Sequence, residues 1–170
     1  MGGAAQPGGA AAEAGDPAAE DWPPGAERAE IVHASTVAHA GRALVIRGAS
    51  GAGKSALAMQ LIGLGARLVA DDRTVLALQG GRVRASPPPA IAGLVEVRGL
   101  GLLRLPHLQG VPVHGVLDLG RPERARLPQA RSTVLLGQPV VLYLNVAGAH
   151  FAPALLHCLA GRREEPDPNR

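Results

Sequence analysis

The chain is poor in aromatic residues and contains one cysteine and one lysine. Trp22, Tyr143 and Phe151 are the only aromatic side chains among 170 residues, which argues against a surface that stacks the bases of single-stranded nucleic acid. Cys158 stands alone, so the chain cannot build a disulfide framework, which is usual for cytoplasmic proteins. No apolar run approaches the ~20 residues of a membrane-spanning helix. We therefore expect a cytoplasmic protein that binds neither nucleic acid nor a membrane.

Large aliphatic side chains are scarce at both ends of the chain. Residues 1–30 consist mainly of alanine, glycine, proline and acidic residues, and because such a segment cannot bury a core, we predict a disordered acidic tail. Residues 162–170 are predicted to form a second disordered tail. The core between them, residues 31–161, has the length of one domain and is strongly basic. A basic core favours anionic partners such as a nucleotide or a phosphoprotein.

The single lysine stands in the most informative motif of the chain, which matches the G-x-x-x-x-G-K-[ST] phosphate-binding loop. Glycines allow backbone N–H groups to close around a polyphosphate. The lysine neutralises phosphate charge, and the hydroxyl that follows it can ligate Mg²⁺. The sequence therefore predicts a nucleotide-binding loop made of Gly48, Ala49, Ser50, Gly51, Ala52, Gly53, Lys54 and Ser55.

The segments on either side of this motif have the pattern that a phosphate-binding loop requires. Residues 43–46 form a short apolar run typical of a strand, and residues 56–64 carry leucines at helical spacing. A helix that starts at the loop adds the positive end of its dipole to the phosphate site. Residues 74–78 and 82–85 flank a Gly-Gly turn and predict a hairpin. We therefore predict an α/β fold with a mixed sheet of the phosphate-loop type.

Acidic residues are rare in the core, and two of them are adjacent. Residues 66–70 predict a strand, and Asp71 and Asp72 follow at its C-terminal end, where α/β sheets bind their ligands. Neighbouring side chains on an extended strand point in opposite directions. One carboxylate can therefore face Mg²⁺ while the other faces a substrate hydroxyl. The alternative is a solvated turn without a functional role.

A third acidic residue, Glu96, lies in a stretch where charged and aliphatic residues alternate. We predict that residues 94–103 form one strand with Glu96 and Arg98 on the same face. This arrangement suits a metal-binding carboxylate beside an anion-binding guanidinium. A surface salt bridge of little energetic value has the same pattern, and the spacing alone does not separate the two interpretations.

In their order along the chain, these motifs resemble those of HPr kinase/phosphorylase, the bifunctional enzyme of bacterial phosphotransferase systems. The resemblance covers about residues 31–160 and points to the short alphaproteobacterial form, which consists of the C-terminal catalytic domain. It implies a fold similar to that of phosphoenolpyruvate carboxykinase. The matching stretches are the phosphate-binding loop, Val32-His33-Ala34-Ser35, Leu68-Val69-Ala70-Asp71-Asp72-Arg73 and Val95-Glu96-Val97-Arg98-Gly99-Leu100-Gly101.

The resemblance implies a kinase that uses ATP and Mg²⁺ to phosphorylate a serine of an HPr-type phosphocarrier protein. In the reverse direction, such an enzyme uses inorganic phosphate to remove the phosphoryl group. Asp71 resembles the general base of the forward reaction and the general acid of the reverse reaction. Lys54 resembles the phosphate-neutralising lysine, and His33 resembles a histidine that lies near the catalytic acid.

The remaining roles that the resemblance implies concern the metal and a mobile arginine. Ser55 and Glu96 resemble the Mg²⁺ ligands, with Asp72 assisting them. Arg126 stands where the family has a mobile catalytic arginine, and Arg124 is the alternative. The sequence leaves open whether copies of the chain form a homo-oligomer.

The chain also departs from the family pattern. Residues 135–140 lack the basic side chains of a loop that the family uses in the phosphorylase direction, so we predict that this direction is weak or absent. Two other functions fit the residues alone. One is a small-molecule kinase whose lid is the arginine-rich stretch 121–131. The other is a non-catalytic binding module that ATP regulates.

Overall fold

The computed structural model describes residues 22–165 of the chain. Among these residues, no helix is long and apolar enough to cross a membrane. The helices are α1 (Lys54–Gly63) and α2 (Phe151–Leu159), and the strands are β1 (Arg28–Val32), β2 (Ser35–His39), β3 (Arg42–Arg47), β4 (Arg67–Ala70), β5 (Thr74–Gln79), β6 (Arg82–Ser86), β7 (Leu94–Val97), β8 (Gly101–Arg104), β9 (Val111–Pro122), β10 (Ser132–Leu135) and β11 (Gln138–Asn145).

The strands form one large mixed sheet and one separate hairpin. β3, β9 and β11 run parallel at the centre of the sheet, with β9 between the other two. β2 pairs antiparallel with both β3 and β4, and β10 pairs antiparallel with β11. The first residues of β9 also pair with β6, which joins β5 and β1 to the same sheet. β7 and β8 form the hairpin. This architecture confirms the predicted α/β fold class.

The central strands are buried on both faces, which explains the uninterrupted apolar run of β3. Leu44 and Ile46 face the helices, whereas Ala43 and Val45 face the opposite side. The hairpin of β5 and β6 closes that opposite side through Leu76, Leu78, Val83 and Ala85. On the helix side, the buried residues contributed by α1 and α2 are Ala58, Leu61, Ala152, Leu155, Leu156 and Leu159.

The strand directions bring the predicted site residues to one edge of the sheet. β3 ends at Arg47, and residues 48–53 then connect it to α1. β4 runs in the same direction as β3, because both strands are antiparallel to β2. The phosphate-binding loop after β3 and the two aspartates after β4 therefore emerge at the same edge.

Both ends of the fold extend beyond the predicted domain boundaries. β1 begins at Arg28 and pairs with β5, although residues 1–30 were expected to be a disordered tail. Near the other end, Arg163 donates a hydrogen bond of 2.8 Å to the carbonyl of Pro128, and Glu165 accepts one of 3.2 Å from the Ala130 amide. Backbone pairing and polar contacts order these segments without large apolar side chains. Residues 1–21 and 166–170 of the two predicted tails lie outside the described range.

The prediction of one strand over residues 94–103 is wrong. β7 ends at Val97, the chain turns, and β8 returns antiparallel from Gly101. Gly99 has a φ of 85° and Gly101 a φ of 97°. These left-handed values are available to glycine at little cost, so the glycines favour a turn over a continuous strand. Arg98 therefore lies in the turn and does not share a strand face with Glu96.

Candidate functional site

The loop between β3 and α1 has the backbone that its glycines allow. Gly51 and Gly53 adopt left-handed φ values of 79° and 94°, which larger residues rarely adopt. Gly48 is required for a different reason, since a Cβ atom there would lie 3.1 Å from the Cβ atoms of both Ala52 and Leu119. The loop is therefore packed closely against β9 at Leu119.

Lys54 is nearly buried, with 7% of its surface exposed. Its Nζ donates hydrogen bonds of 3.0 Å to the carbonyl oxygens of Gly48 and Ala49. These two contacts hold the ammonium across the loop and offset part of the cost of desolvating its charge. The lysine is thus placed where it can exchange carbonyl oxygens for the oxygens of a bound phosphate.

Asp71 is buried and has two hydroxyl donors. Its Oδ1 atom accepts a hydrogen bond of 2.6 Å from Ser35 Oγ on β2 and another of 2.8 Å from Ser55 Oγ on α1. The relative exposure of Asp71 is 5%, and that of Ser35 is 0%. Asp71 therefore lies behind the phosphate-binding loop, where it orients the hydroxyl of Ser55.

Asp72 has the opposite environment, although it is the next residue. It is exposed, and its φ of 65° lies in the left-handed region, which aspartate tolerates better than most residues. Its Oδ1 lies 3.6 Å from His33 Nε2, and its Oδ2 lies 4.0 Å from Arg73 Nε. The two carboxylates therefore have different environments, but the cause is the left-handed turn after β4 and not the predicted alternation along an extended strand.

The turn that carries the two aspartates is held by the start of β2. The Ala34 amide donates to the carbonyl of Asp72 at 3.2 Å, and Thr74 Oγ1 donates to the carbonyl of Ala34 at 3.1 Å. Thr74 Oγ1 also lies 2.8 Å from Thr36 Oγ1. Because Thr74 is fully buried, its hydrogen bond to Ala34 holds the turn without competition from solvent.

Eight of the predicted site residues line one cleft of about 520 Å³, whereas Gly48, Ala49, Ala52, Asp71 and Arg126 do not line it. Asp71 contacts this cleft from behind, through Ser55. Glu96 reaches it from the β7–β8 hairpin, which is a separate sheet. The cleft is lined by His33, Ser50, Gly51, Gly53, Lys54, Ser55, Ala56, Met59, Asp72, Glu96, Val97 and Arg98.

The donor set of the cleft suits a hard divalent cation. Ser55, Asp72 and Glu96 offer a hydroxyl and two carboxylates, which are the oxygen ligands that Mg²⁺ prefers. Among residues 22–165 there is no group of three or more His, Cys, Asp or Glu side chains that could hold a metal ion by itself. In nucleotide sites, Mg²⁺ usually binds through one or two protein ligands together with phosphate oxygens and water.

Arg126 does not line this cleft. It is exposed in the loop between β9 and β10, where it borders a different cavity, of about 320 Å³. Arg124 lies in the same loop. Inside this cavity Glu123 forms an ion pair with Arg131, and the hydrogen bond from Arg131 lowers the pKa of Glu123 below its ordinary value. The described chain therefore does not bring the predicted catalytic arginine to the other site residues.

Two titratable side chains of the second cavity are buried or half-buried. Burial raises the pKa of Tyr143 to about 12 and also raises the pKa of the Cys158 thiol. Both side chains line the cavity beside Phe151 and Leu155. Two of its arginines hold the loop, since Arg131 pairs with Glu123 and Arg163 binds the carbonyl of Pro128.

Sequence reasoning missed the contacts that Ser35 and Thr74 make near the predicted site residues. Ser35 lies two residues after His33, and Thr74 lies two residues after Asp72. Both positions could have been examined, because small hydroxyl residues beside a predicted carboxylate are natural hydrogen-bond donors to it. Nothing in the linear spacing indicated that Ser35 and Ser55 donate to the same oxygen atom.

Comparison with known proteins places this fold and cleft in a family. The family model of the HPr serine kinase C-terminal domain matches residues 26–114, a range that includes the phosphate-binding loop, both aspartates and Glu96. The solved structure of the Hpr(Ser) kinase/phosphatase from Coxiella burnetii superposes with a TM-score of 0.67 at 25% identity, covering 78% of this chain and 88% of that one.

Curated relatives agree with this match. The HPr kinase/phosphorylase of Clostridium tetani is 43% identical over 79 residues, which is 46% of this chain and 25% of the relative. The protein of the same name from Enterococcus faecalis is 31% identical over 146 residues, 71% of this chain and 47% of the relative. The chain spans less than half the length of these relatives. Since the family model covers more than half of the sequence, the chain belongs to the HPr serine kinase C-terminal domain family.

Proposed function

We propose that the chain is an ATP-dependent protein kinase that phosphorylates a serine of an HPr-type phosphocarrier protein. The observation that carries the proposal is the meeting of three independent elements in one cleft. The phosphate-binding loop contributes Lys54 and Ser55, the turn after β4 contributes Asp72 with His33 beside it, and the β7–β8 hairpin contributes Glu96. The names of the relatives, which are HPr kinase/phosphorylases, support the choice of substrate.

Nucleotide binding follows from the loop. Backbone N–H groups of residues 48–53 and the N-terminal end of α1 offer donors and a partial positive charge to the β- and γ-phosphates. Lys54 exchanges its two carbonyl contacts for phosphate oxygens. Arg98, which lines the same cleft from the hairpin turn, adds a second positive charge near the transferred group.

Ser55 and Glu96 are the residues that would hold Mg²⁺ in this cleft, and Asp72 lies close enough in the lining to assist. The ion supplies positive charge that offsets the charge developing on the phosphoryl oxygens. Asp71 contributes indirectly, because its carboxylate accepts the Ser55 proton in a hydrogen bond of 2.8 Å. The Ser55 oxygen is therefore left free to donate a lone pair toward the cleft.

The geometry favours Asp72 as the general base, whereas the resemblance had implied Asp71. Asp71 is buried and already accepts hydrogen bonds from Ser35 and Ser55. Asp72 is exposed to the cleft, with the imidazole of His33 3.6 Å away, so an incoming serine hydroxyl can reach it. We infer that Asp72 takes the proton of the substrate serine and that His33 orients the Asp72 carboxylate.

The proposal is tested by giving the purified protein ATP, Mg²⁺ and an HPr protein, with an HPr variant whose acceptor serine is alanine as the control. We expect phosphate transfer to the wild-type HPr alone, measured by intact-protein mass spectrometry. ATP hydrolysis, with water as the phosphoryl acceptor and no transfer to either HPr, would show that HPr is not the substrate and would favour a small-molecule kinase. ATP binding without any transfer would indicate a regulated binding module, and either result would overturn the proposal.

A further inference from the structure

Ser35 does not line the cleft, yet its hydroxyl donates a hydrogen bond to Asp71, which lies directly behind the cleft. Ser35 Oγ lies 2.6 Å from Asp71 Oδ1, and the same oxygen atom accepts the Ser55 hydroxyl at 2.8 Å. Ser35 is fully buried, so water cannot replace its hydrogen bond. One carboxylate oxygen therefore holds two serine hydroxyls, one from β2 and one from the first turn of α1.

This arrangement decides where the protons lie. A carboxylate oxygen only accepts hydrogen bonds, so both serines act as donors. With the Ser55 proton directed at Asp71, the lone pairs of Ser55 Oγ face the cleft that this residue lines. The hydrogen bond from Ser35 holds Asp71 Oδ1 at the position where it accepts the hydrogen bond from Ser55.

We propose that Ser35 is a positioning residue for a divalent cation at Ser55, acting through Asp71. The inference rests on the proposed nucleotide-binding function and adds a residue from a different strand to it. Partners that orient a metal ligand without touching the metal typically change metal affinity or activity by about 10- to 100-fold when they are removed. Ser35 has this position, since it contacts the carboxylate that orients Ser55.

The neighbouring residue provides a matched control. Thr36 is also fully buried on β2, and its hydroxyl also makes one buried hydrogen bond, to Thr74 at 2.8 Å. That bond does not involve Asp71. Ser35→Ala and Thr36→Val therefore each remove one buried hydroxyl from the same strand, and Ser35 alone is connected to Ser55.

The experiment measures the affinity of the non-hydrolysable ATP analogue AMP-PNP by calorimetry, with Mg²⁺ and with EDTA. The ratio of the two affinities is the gain that the metal provides, and it does not depend on turnover. We expect Ser35→Ala to reduce this gain about tenfold and to leave the affinity in EDTA unchanged. Thr36→Val should leave the gain at its wild-type value, although both variants lose roughly 2–4 °C in Tm.

Ser35→Thr restores a hydroxyl and is expected to regain most of the metal-dependent gain. If the Mg²⁺-dependent gain in AMP-PNP affinity were the same in Ser35→Ala as in Thr36→Val, the proposed role of Ser35 would be overturned. The role would also be overturned if a Ser35→Thr variant, shown by its Tm to be folded, kept a Mg²⁺-dependent gain as low as that of Ser35→Ala. If the wild-type protein did not bind AMP-PNP with Mg²⁺, the proposed function would fail, and the role of Ser35 would be overturned with it.

Discussion

Lys54 and the two aspartates have different environments, although sequence alone assigns all three to one site. Lys54 is nearly buried and contacts two loop carbonyls, Asp71 is buried behind the loop, and Asp72 is exposed in the cleft. A substitution at each position is therefore expected to impair a different step of the reaction. Removing the lysine should affect binding of the nucleotide, whereas removing the exposed aspartate should affect the chemical step.

Lys54→Met is expected to weaken ATP binding by roughly 10- to 100-fold or more, because hydrogen bonds to charged groups contribute about 1.5–3 kcal/mol each. Methionine keeps the apolar stem of the side chain, so the loop packing is retained. Lys54→Ala should show the same loss. Binding is measured by calorimetry and folding by circular dichroism. An undiminished ATP affinity in both folded variants would contradict the assignment of the phosphate-binding loop.

Asp72→Asn is expected to lower phosphoryl transfer by about 10²–10⁴-fold, the usual contribution of a general base, with little change in ATP affinity. Asp71→Asn should act differently, since its main role is to accept the hydroxyls of Ser35 and Ser55. We expect this second variant to require more Mg²⁺ and to lose stability. Single-turnover transfer to HPr and ATP affinity are measured for both. A large transfer defect in Asp71→Asn with a mild one in Asp72→Asn would restore the assignment that the resemblance implied.

At the scale of elements, an ion pair helps to hold the loop between β9 and β10. Glu123 pairs with Arg131 and also accepts the backbone amides of Arg124 and Ala125, both at 2.9 Å. These contacts lower the pKa of Glu123 from its ordinary value of 4.5. A carboxyl whose pKa is lower in the folded state than in the unfolded state stabilises the fold above its unfolded-state pKa. That contribution is lost as the pH falls through the folded-state value.

Glu123→Gln should therefore lower the Tm at neutral pH, and the difference from wild type should shrink as the pH falls below about 4.5. The measurement is thermal unfolding of both proteins from neutral pH downward. Glu164→Gln is the control, since Glu164 is an exposed carboxylate near the end of the described range. A Tm difference that stays constant across this pH range would show that Glu123 stabilises the fold through the packing of its side chain and not through its charge.

The β7–β8 hairpin is the second element on which the site depends, because it carries Glu96. Gly93 precedes it with a φ of 77°, and a Cβ atom there would lie 2.7 Å from the carbonyl oxygen of Leu105. Gly41 has a similar φ of 74° with nothing within 4 Å of the same atom. The two positions share the backbone conformation and differ only in the available space.

Gly41→Ala should cost about 1 kcal/mol for the left-handed backbone, and Gly93→Ala about 1–3 kcal/mol more for the overlap. The free energy of unfolding is measured by urea denaturation. Gly93→Ala should also reduce the Mg²⁺-dependent ATP turnover, since the shift moves Glu96, whereas Gly41→Ala should not. Equal stabilities and equal turnover in the two variants would show that the hairpin tolerates displacement.

At the scale of the whole molecule, the phosphate-binding loop and residues 135–140 lie at different ends of the sheet. The loop follows the last residue of β3, whereas residues 135–140 comprise the end of β10, a tight turn and the start of β11, which runs parallel to β9 and β3. This turn therefore lies at the opposite end of the sheet from the cleft of its own chain. It also lacks the basic side chains that the family resemblance implies for the phosphorylase direction.

We expect the phosphorylase direction to be weak or absent, because attack of phosphate on a phosphoserine requires extra positive charge around two anions. Within the described chain, Lys54 and Arg98 are the cations that line the cleft. The test supplies serine-phosphorylated HPr and millimolar phosphate without ATP and follows pyrophosphate release. Release at the rate of the forward kinase reaction would show that other cations, from this chain or from another copy of it, replace the missing ones.

The sequence by itself determined the parts of the protein that depend on neighbouring residues. The phosphate-binding loop, the strand before it, the helix after it and the hairpin over residues 74–85 each follow from a contiguous pattern of glycines, hydroxyls and apolar residues. Such patterns act through local backbone conformation. These patterns can be recognised in the sequence because glycine, aliphatic and charged residues have conformational preferences that do not depend on distant parts of the chain.

Only the tertiary structure decided how the site is assembled. The different environments of Asp71 and Asp72 arise from contacts more than thirty residues earlier in the chain, where Ser35 of β2 and the preceding Ala34 bind the turn. The placement of Arg126 in another cavity follows from the path of the loop after β9. Contacts between residues far apart in sequence depend on strand order and on which side chains compete for one acceptor atom. Local propensities contain no information about either.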